Sequence, residues 1–259
     1  AHDPKRKSIW PEGVVSQGAR AERIEQAVLP LAIEAAGVVI DWMQQADGVD
    51  GTAVGVTGIS WGGYLTWAVN AHEPRVRAAA PVYGCGGLFE PGHAYAVPNR
   101  DLPDDVTRTW REQWDAGALA HRQIAPVCYL SSTNDFFGYH RFADRLLDQL
   151  TVPRRRSSYP NTNHHLGPGE ATLGVRWFDH LLRGGPALPD EPALRDDLTV
   201  RADDREPIVA RRVWWTASTG PGGTRSMSTR THCRARSSAA GAGSSPPRVC
   251  VDAPGCEPG

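Results

Sequence analysis

Apolar positions along the chain fall into short runs separated by polar or glycine-rich stretches, and their period changes from one run to the next. From Ala21 to about Gln45 the period is helical, divided at Pro30, with Leu31, Ala35, Val38, Val39 and Trp42 on one stripe. Such a stripe predicts a helix that covers a sheet. Gly48-Val-Asp-Gly51 reads as a turn into an apolar run over Thr52–Thr57, followed by a glycine-rich bend and a helical segment from Gly62 to about Glu73. Two more short apolar runs, Val76–Val82 and Pro126–Ser131, are bounded as buried parallel strands are. Helical spacing recurs over Gly138–Leu150, aligning Phe142, Leu146 and Leu150, and over Ala171–Arg183, aligning Trp177, Phe178, Leu181 and Leu182. Strands alternating with helices predict a mostly parallel α/β sheet in three layers.

Between the second and third strand runs lies a long segment, 84–122, rich in Gly, Pro and Asp but carrying Phe89, Tyr95, Trp110 and Trp114. A connection of this length inside a compact domain is a functional element or an embellishment with its own helix, and its aromatic content predicts a lid over the strand ends. The pattern places the α/β domain at 1–189. After Pro189 two runs, Leu198–Ala202 and Pro207–Thr216, read as the start of a β unit over 190–216. From Ala217 to Gly259 there is no Leu, Ile, Phe, Tyr or Trp, so 217–259 is expected to be a disordered tail. The abrupt loss of pattern after Trp215 is also what out-of-frame translation of a GC-rich gene would produce.

Composition narrows the function classes. The formal net charge of −1 with 22% charged residues predicts neither a nucleic-acid nor an anionic-membrane partner, leaving a small molecule as the expected one. Of the 28 basic residues only Lys5 and Lys7 are lysine, and the arginines are scattered, except Arg154-Arg-Arg156, which reads as a solvated turn. No apolar run approaches the roughly 18 residues of a membrane-spanning helix, and the first residues lack the basic-then-apolar order of a signal peptide, so a soluble chain is expected. Neither compartment nor oligomeric state is legible. The five cysteines, Cys85, Cys128, Cys233, Cys250 and Cys256, have neither a disulfide framework nor metal-ligand spacing.

The candidate chemistry centres on Gly58-Ile-Ser-Trp-Gly62, a G-x-S-x-G sequence that is a weak signal alone but here follows an apolar strand and opens a helix. That context makes Ser60 a candidate nucleophile on a strained elbow. A serine hydroxyl needs a histidine to take its proton and a carboxylate to hold that histidine's tautomer. On such elbows the partners follow in the order Ser, Asp or Glu, His, each beyond a strand end. Asp135, in Thr133-Asn-Asp-Phe-Phe137 after the third strand run, meets the first requirement, against a plainer reading as a helix-capping or turn aspartate. Asn161-Thr-Asn-His-His-Leu-Gly167 supplies the base: His164 is preferred, with His165 as its packing neighbour, and His165 remains the alternative. The pair could instead ligate a metal with Glu170, but adjacent histidines rarely reach one ion and no third ligand has the usual spacing, so no metal and no cofactor is expected. The remaining histidines of the body have no partner at a telling spacing.

Residues 22–187 resemble the second half of an α/β-hydrolase catalytic domain, in the branch containing acetyl-xylan-esterase-like and prolyl-oligopeptidase-like serine hydrolases. The resemblance rests on "GVTGISWGGYLT", "RVRAAAPVYGCG", "APVCYLSSTNDFF", "NTNHHLGPGE" and "VRWFDHLLRGGPALP". It implies Ser60, Asp135 and His164 or His165 as a catalytic triad, the backbone N–H of Trp61 as one oxyanion donor, and hydrolysis of a small or acetyl-carbohydrate ester through an acyl-enzyme. It also implies earlier strands and a second oxyanion donor that the residues before Gly58 do not display, so the chain reads as a three-layer α/β-hydrolase fold lacking its first strands. Alternatives are a prolyl-oligopeptidase-type serine peptidase and a noncatalytic fragment.

Overall fold

The computed structural model describes residues 28–191 apart from 89, 92, 94–103 and 139, together with 193–194, 200–201, 214–216 and 227–229. The chain separates into two units, Ala1–Ala187 and Leu188–Gly259. In the first unit the order is α1 (Val28–Met43), β1 (Val54–Ile59), α2 (Trp61–His72), β2 (Val76–Val82), α3 (Asp104–Gln113), a 3-10 turn (Ala120–Arg122), β3 (Val127–Ser132), α4 (His140–Asp148), β4 (Arg154–Tyr159) and α5 (Pro168–Arg183). The four strands form one sheet of order β1-β2-β3-β4 with every neighbouring pair parallel. All strand C-termini therefore open on the same edge, where open α/β sheets gather their ligand-binding loops. Among the described residues β1 is an outer strand, so one side of its backbone is unpaired.

Three expectations are corrected. Arg154-Arg-Arg156 is not a solvated turn but the start of β4, paired from Val127↔Arg154 to Ser132↔Tyr159. Among the described residues β4 is the sheet's other outer strand, where arginine is tolerated: Arg154 and Arg156 are exposed and paired with Asp148 and Asp144 of α4. Charges on an outer strand also discourage pairing with a further chain. Pro30 does not divide α1; it sits in the first turn, where its missing N–H leaves no intrahelical bond unmade. The part of the expected helix before Val28 lies outside the described residues.

The third correction concerns the face of α1. Leu31, Val38, Val39 and Trp42 are 50–66% exposed, whereas Leu29 and Ile40 are buried and Ile33 and Ala36 pack beside them against α2 and β1. The sequence VLPLAIEAAGVVIDWM is apolar on both sides, so periodicity alone does not choose which side meets the sheet. Arg75 fixes the choice, bonding Asp41, the Gly37 carbonyl and Glu73 and so holding one edge of α1 against the start of β2.

Segment 84–122 contains α3 and the 3-10 turn, and its described residues are part of the core: Trp110, Ala116, Leu119 and Ala120 join Tyr64, Trp67, Phe137 and Leu146. Asp115 ties the segment down. Its buried carboxyl accepts the N–H groups of Gly87, Leu88 and Gly117 and the Tyr64 hydroxyl, and burial pushes its pKa up. His93 is also buried, and burial lowers its pKa to about 4; Arg141 adds to the shift, while a backbone hydrogen bond at Phe137 and the charge of Glu90 oppose it. A depressed histidine pKa means the unfolded chain binds the proton first, so its contribution to stability is full above about pH 6.5 and is lost as pH falls toward 4. His93→Gln, which keeps a donor but does not titrate, is expected to remove about 1–2 kcal/mol of the stability difference between pH 7.5 and pH 5, read from urea midpoints.

In the second unit β5 (Ala193–Leu194) pairs antiparallel with β6 (Val200–Arg201), and β7 (Trp214–Thr216) with β8 (Met227–Thr229). Within 217–259 the described residues are Met227-Ser-Thr229, which pair with Trp214-Trp-Thr216. The rest of that tail lies outside the described residues.

Candidate active site

Ser60 stands between the last residue of β1 and the first of α2, with φ 62° and ψ −119°. A non-glycine residue in this region costs roughly 1–3 kcal/mol, so the surroundings must impose it. Two backbone bonds do so: the Ser60 N–H donates to the Val82 carbonyl at 3.0 Å, and the Ser60 carbonyl accepts from the Tyr64 N–H at 2.9 Å. Glycines then set how close the turn lies. A Cβ on Gly58 would come 2.5 Å from the Gly62 backbone, and one on Gly63 would come 2.2 Å from the Val82 carbonyl oxygen, whereas one on Gly62 would meet nothing within 4 Å. The tightest position thus falls one residue past the pentapeptide. Gly63→Ala is expected to cost about 3 kcal/mol, because helix and strand backbones must separate, while Gly62→Ala should be near neutral; urea midpoints of the two variants compare them.

Asp135 follows β3 and is buried. Its Oδ1 accepts the N–H groups of Phe137, at 2.7 Å, and Gly138, closing the turn that enters α4. Its Oδ2 meets Nδ1 of His164 at 2.5 Å. His164 is presented by the loop after β4 and lies between the rings of Tyr83 and Phe136, at centroid separations of 4.6 Å and 4.7 Å. Its Nε2 is buried and has no hydrogen-bond partner among the described residues. His165, the alternative, is exposed. Ser60 reaches the same neighbourhood through β2: its N–H is held by Val82, and the next residue, Tyr83, carries the ring against His164. Trp61 begins α2, where an N–H is not used by the helix's own ladder, and its ring packs on Phe137 and Tyr64.

Sequence reasoning names Glu170 only as a possible metal ligand and does not single out Tyr83, Asn134 or Asn163. Tyr83 has φ 68°, and its buried hydroxyl has no hydrogen-bond partner among the described residues. Burial, then the charges of Glu170 and Asp135, push its phenol far above the usual value. Glu170 is buried; its Oε2 accepts the Gly167 N–H at 2.7 Å, pinning the end of the His164 loop to α5, and burial raises its pKa. Asn134 and Asn163 bridge the two loops. Their signal in the sequence is faint: an asparagine before each functional residue, in stretches where asparagine's tolerance of left-handed backbone favours turns. Among the described residues no group of three His, Cys, Asp or Glu side chains is placed to hold a metal ion. No helix among them is long and apolar enough to cross a membrane. An open cavity of about 330 Å³ lies elsewhere, walled by Gly87, Arg111, Asp115, Phe142 and Arg145 among others; Ser60, Asp135 and His164 do not line it.

The parallel sheet, its flanking helices and the loops at the strand C-termini define an α/β-hydrolase fold. Residues 16–151 match the model of the X-Pro dipeptidyl-peptidase (S15) family. That span is more than half of the chain, and the chain belongs to this family of hydrolases. It includes Ser60 and Asp135 and ends before His164. Among solved structures, the chain is similar to acetyl xylan esterase 1 from Thermoanaerobacterium sp. JW/SL YS485, at 19% identity and a TM-score of 0.56, covering 68% of this chain and 60% of that one. It is similar to an acetyl xylan esterase from Paenibacillus sp. R4 at 20% identity, TM-score 0.53, with 66% and 56% covered. A puromycin-hydrolyzing peptidase from Mycobacterium tuberculosis is 18% identical, TM-score 0.50, with 58% and 25% covered. At these identities the likeness is one of fold. The chain spans 60% of the length of the first esterase. No curated protein matches it.

Proposed function

We propose that the chain carries the nucleophile elbow and catalytic triad of a serine hydrolase, cleaving small carboxylic esters, acetyl esters of carbohydrates among them, through an acyl-enzyme on Ser60. The observation that carries this reading is the convergence at one sheet edge of the strained Ser60 turn and the pair of buried Asp135 with half-buried His164, whose Nε2 has no hydrogen-bond partner among the described residues. The Asp135 carboxylate accepts only, so the imidazole proton sits on Nδ1 and the lone pair on Nε2. In the proposed step Nε2 takes the Ser60 hydroxyl proton as Oγ bonds to the substrate's carbonyl carbon. The same proton then passes to the departing alkoxide, and water repeats the sequence to release the acid. The Trp61 N–H donates to the developing oxyanion.

A second reading, a peptidase acting on X-Pro amides, is favoured by the family match. The two differ in leaving group. The purified chain is incubated with p-nitrophenyl acetate and with a Gly-Pro p-nitroanilide, and separately with a fluorophosphonate whose adduct is mapped by peptide mass. Ester turnover with the adduct on Ser60 supports the first reading, and anilide turnover the second. An adduct on another residue, or neither turnover nor adduct, refutes both.

A further inference from the structure

We infer that Asn134 and Asn163 are positioning residues, a reciprocal amide pair that sets the Asp135–His164 contact; this rests on the hydrolase reading above. Each asparagine immediately precedes one member of that contact. Asn134 Nδ2 donates to Asn163 Oδ1 at 2.5 Å, and the Asn163 N–H donates to Asn134 Oδ1 at 2.9 Å. The second bond fixes the first: a backbone N–H must face the amide oxygen of Asn134, which leaves its NH2 to meet the other side chain through oxygen.

The pair is anchored in the core. Ser132, the fully buried last residue of β3, directs its hydroxyl to the Asn163 carbonyl at 2.5 Å, with Asn134 Oδ1 at 3.1 Å. Two further bonds lie behind it: the Thr133 N–H donates to the Tyr159 carbonyl, and the Asn161 N–H to Thr133 Oγ1, each at 3.0 Å. The loops after β3 and β4 are thus closed together up to the residues before Asp135 and His164. Asp135 is held independently through Oδ1 by its own turn. Among the described residues His164 has no comparable hydrogen-bonded tether apart from Asp135; its ring otherwise meets the tilted rings of Tyr83 and Phe136, contacts that are not directional as a hydrogen bond is. Asn163 has φ 50° and Asn161 φ 55°, so the loop also needs residues that accept left-handed backbone.

The variants Asn134→Ala, Asn163→Gly and Asn163→Asp separate these roles in the full chain. Glycine keeps the backbone conformation without the amide, and aspartate keeps an oxygen for Asn134 Nδ2. Both asparagines are exposed, so the substitutions leave the core intact. The readouts are the far-downfield proton resonance of the His164 Nδ1–H bonded to Asp135, and kcat and KM on p-nitrophenyl acetate. The expected result for Asn134→Ala and Asn163→Gly is loss or broadening of the resonance and a kcat about tenfold to 100-fold lower at unchanged KM, with both restored in Asn163→Asp. An unchanged resonance in Asn163→Gly, or its loss in Asn163→Asp as well, overturns the inference. Absence of turnover in the unsubstituted chain refutes the hydrolase reading instead, and the resonance, which needs no turnover, still decides the pair.

Discussion

Ser60→Ala is expected to lower ester turnover by about 10⁶-fold, the scale on which removing the nucleophile of a working triad acts. Alanine fits without disturbing the site, since the hydrogen bonds that hold the turn use only the Ser60 backbone. KM should stay within a few-fold, and fluorophosphonate labelling should vanish. Ser60→Gly adds a readout on the strain. Glycine adopts φ 62° and ψ −119° without a Cβ penalty, so that variant is expected to be equally inactive yet more stable than the unsubstituted chain by about 1 kcal/mol in urea unfolding. Loss of activity with a gain in stability is the signature of backbone strain retained for chemistry. Turnover within tenfold of the unsubstituted chain after Ser60→Ala would refute the role of Ser60.

What was legible in the sequence was local. The Ser60 turn is announced by a strand, glycines and a helix within twenty residues, and the observed β1–α2 junction falls inside that window. Asp135 lies just beyond the end of β3, a position that the alternation of runs specifies without knowing which strands are neighbours, whereas the strand before His164 is β4, which the same alternation does not reveal. Three features were hidden because tertiary partners decide them. The buried face of α1 depends on Arg75, thirty-four residues from its partner Asp41. The arginine-rich β4 forms because β3 offers an edge and α4 supplies Asp144 and Asp148; its own residues carry no strand-like alternation. The Asn134–Asn163 pair spans loops that meet only once β3 and β4 pair in register, so two ordinary turn asparagines became a bridge.

Asp135→Asn is expected to lower kcat by about 10⁴-fold while leaving the fold and KM nearly unchanged. The carboxylate serves two sets of donors at once, the N–H groups of Phe137 and Gly138 on Oδ1 and the imidazole on Oδ2. An amide has only one acceptor. The two backbone N–H groups are fixed by the turn into α4, so the amide oxygen must face them and its NH2 must face His164. A donor there forces the imidazole proton onto Nε2, which removes the lone pair that would accept the Ser60 proton. The far-downfield resonance should disappear with the activity. Asp135→Ala makes the contrast: it also leaves two N–H groups of a buried turn without an acceptor, so a cost of about 2 kcal/mol in unfolding should accompany the same catalytic loss. A drop in kcat of less than tenfold for Asp135→Asn would mean that another group holds the histidine's tautomer, and would reduce Asp135 to the turn cap that its Oδ1 contacts alone describe.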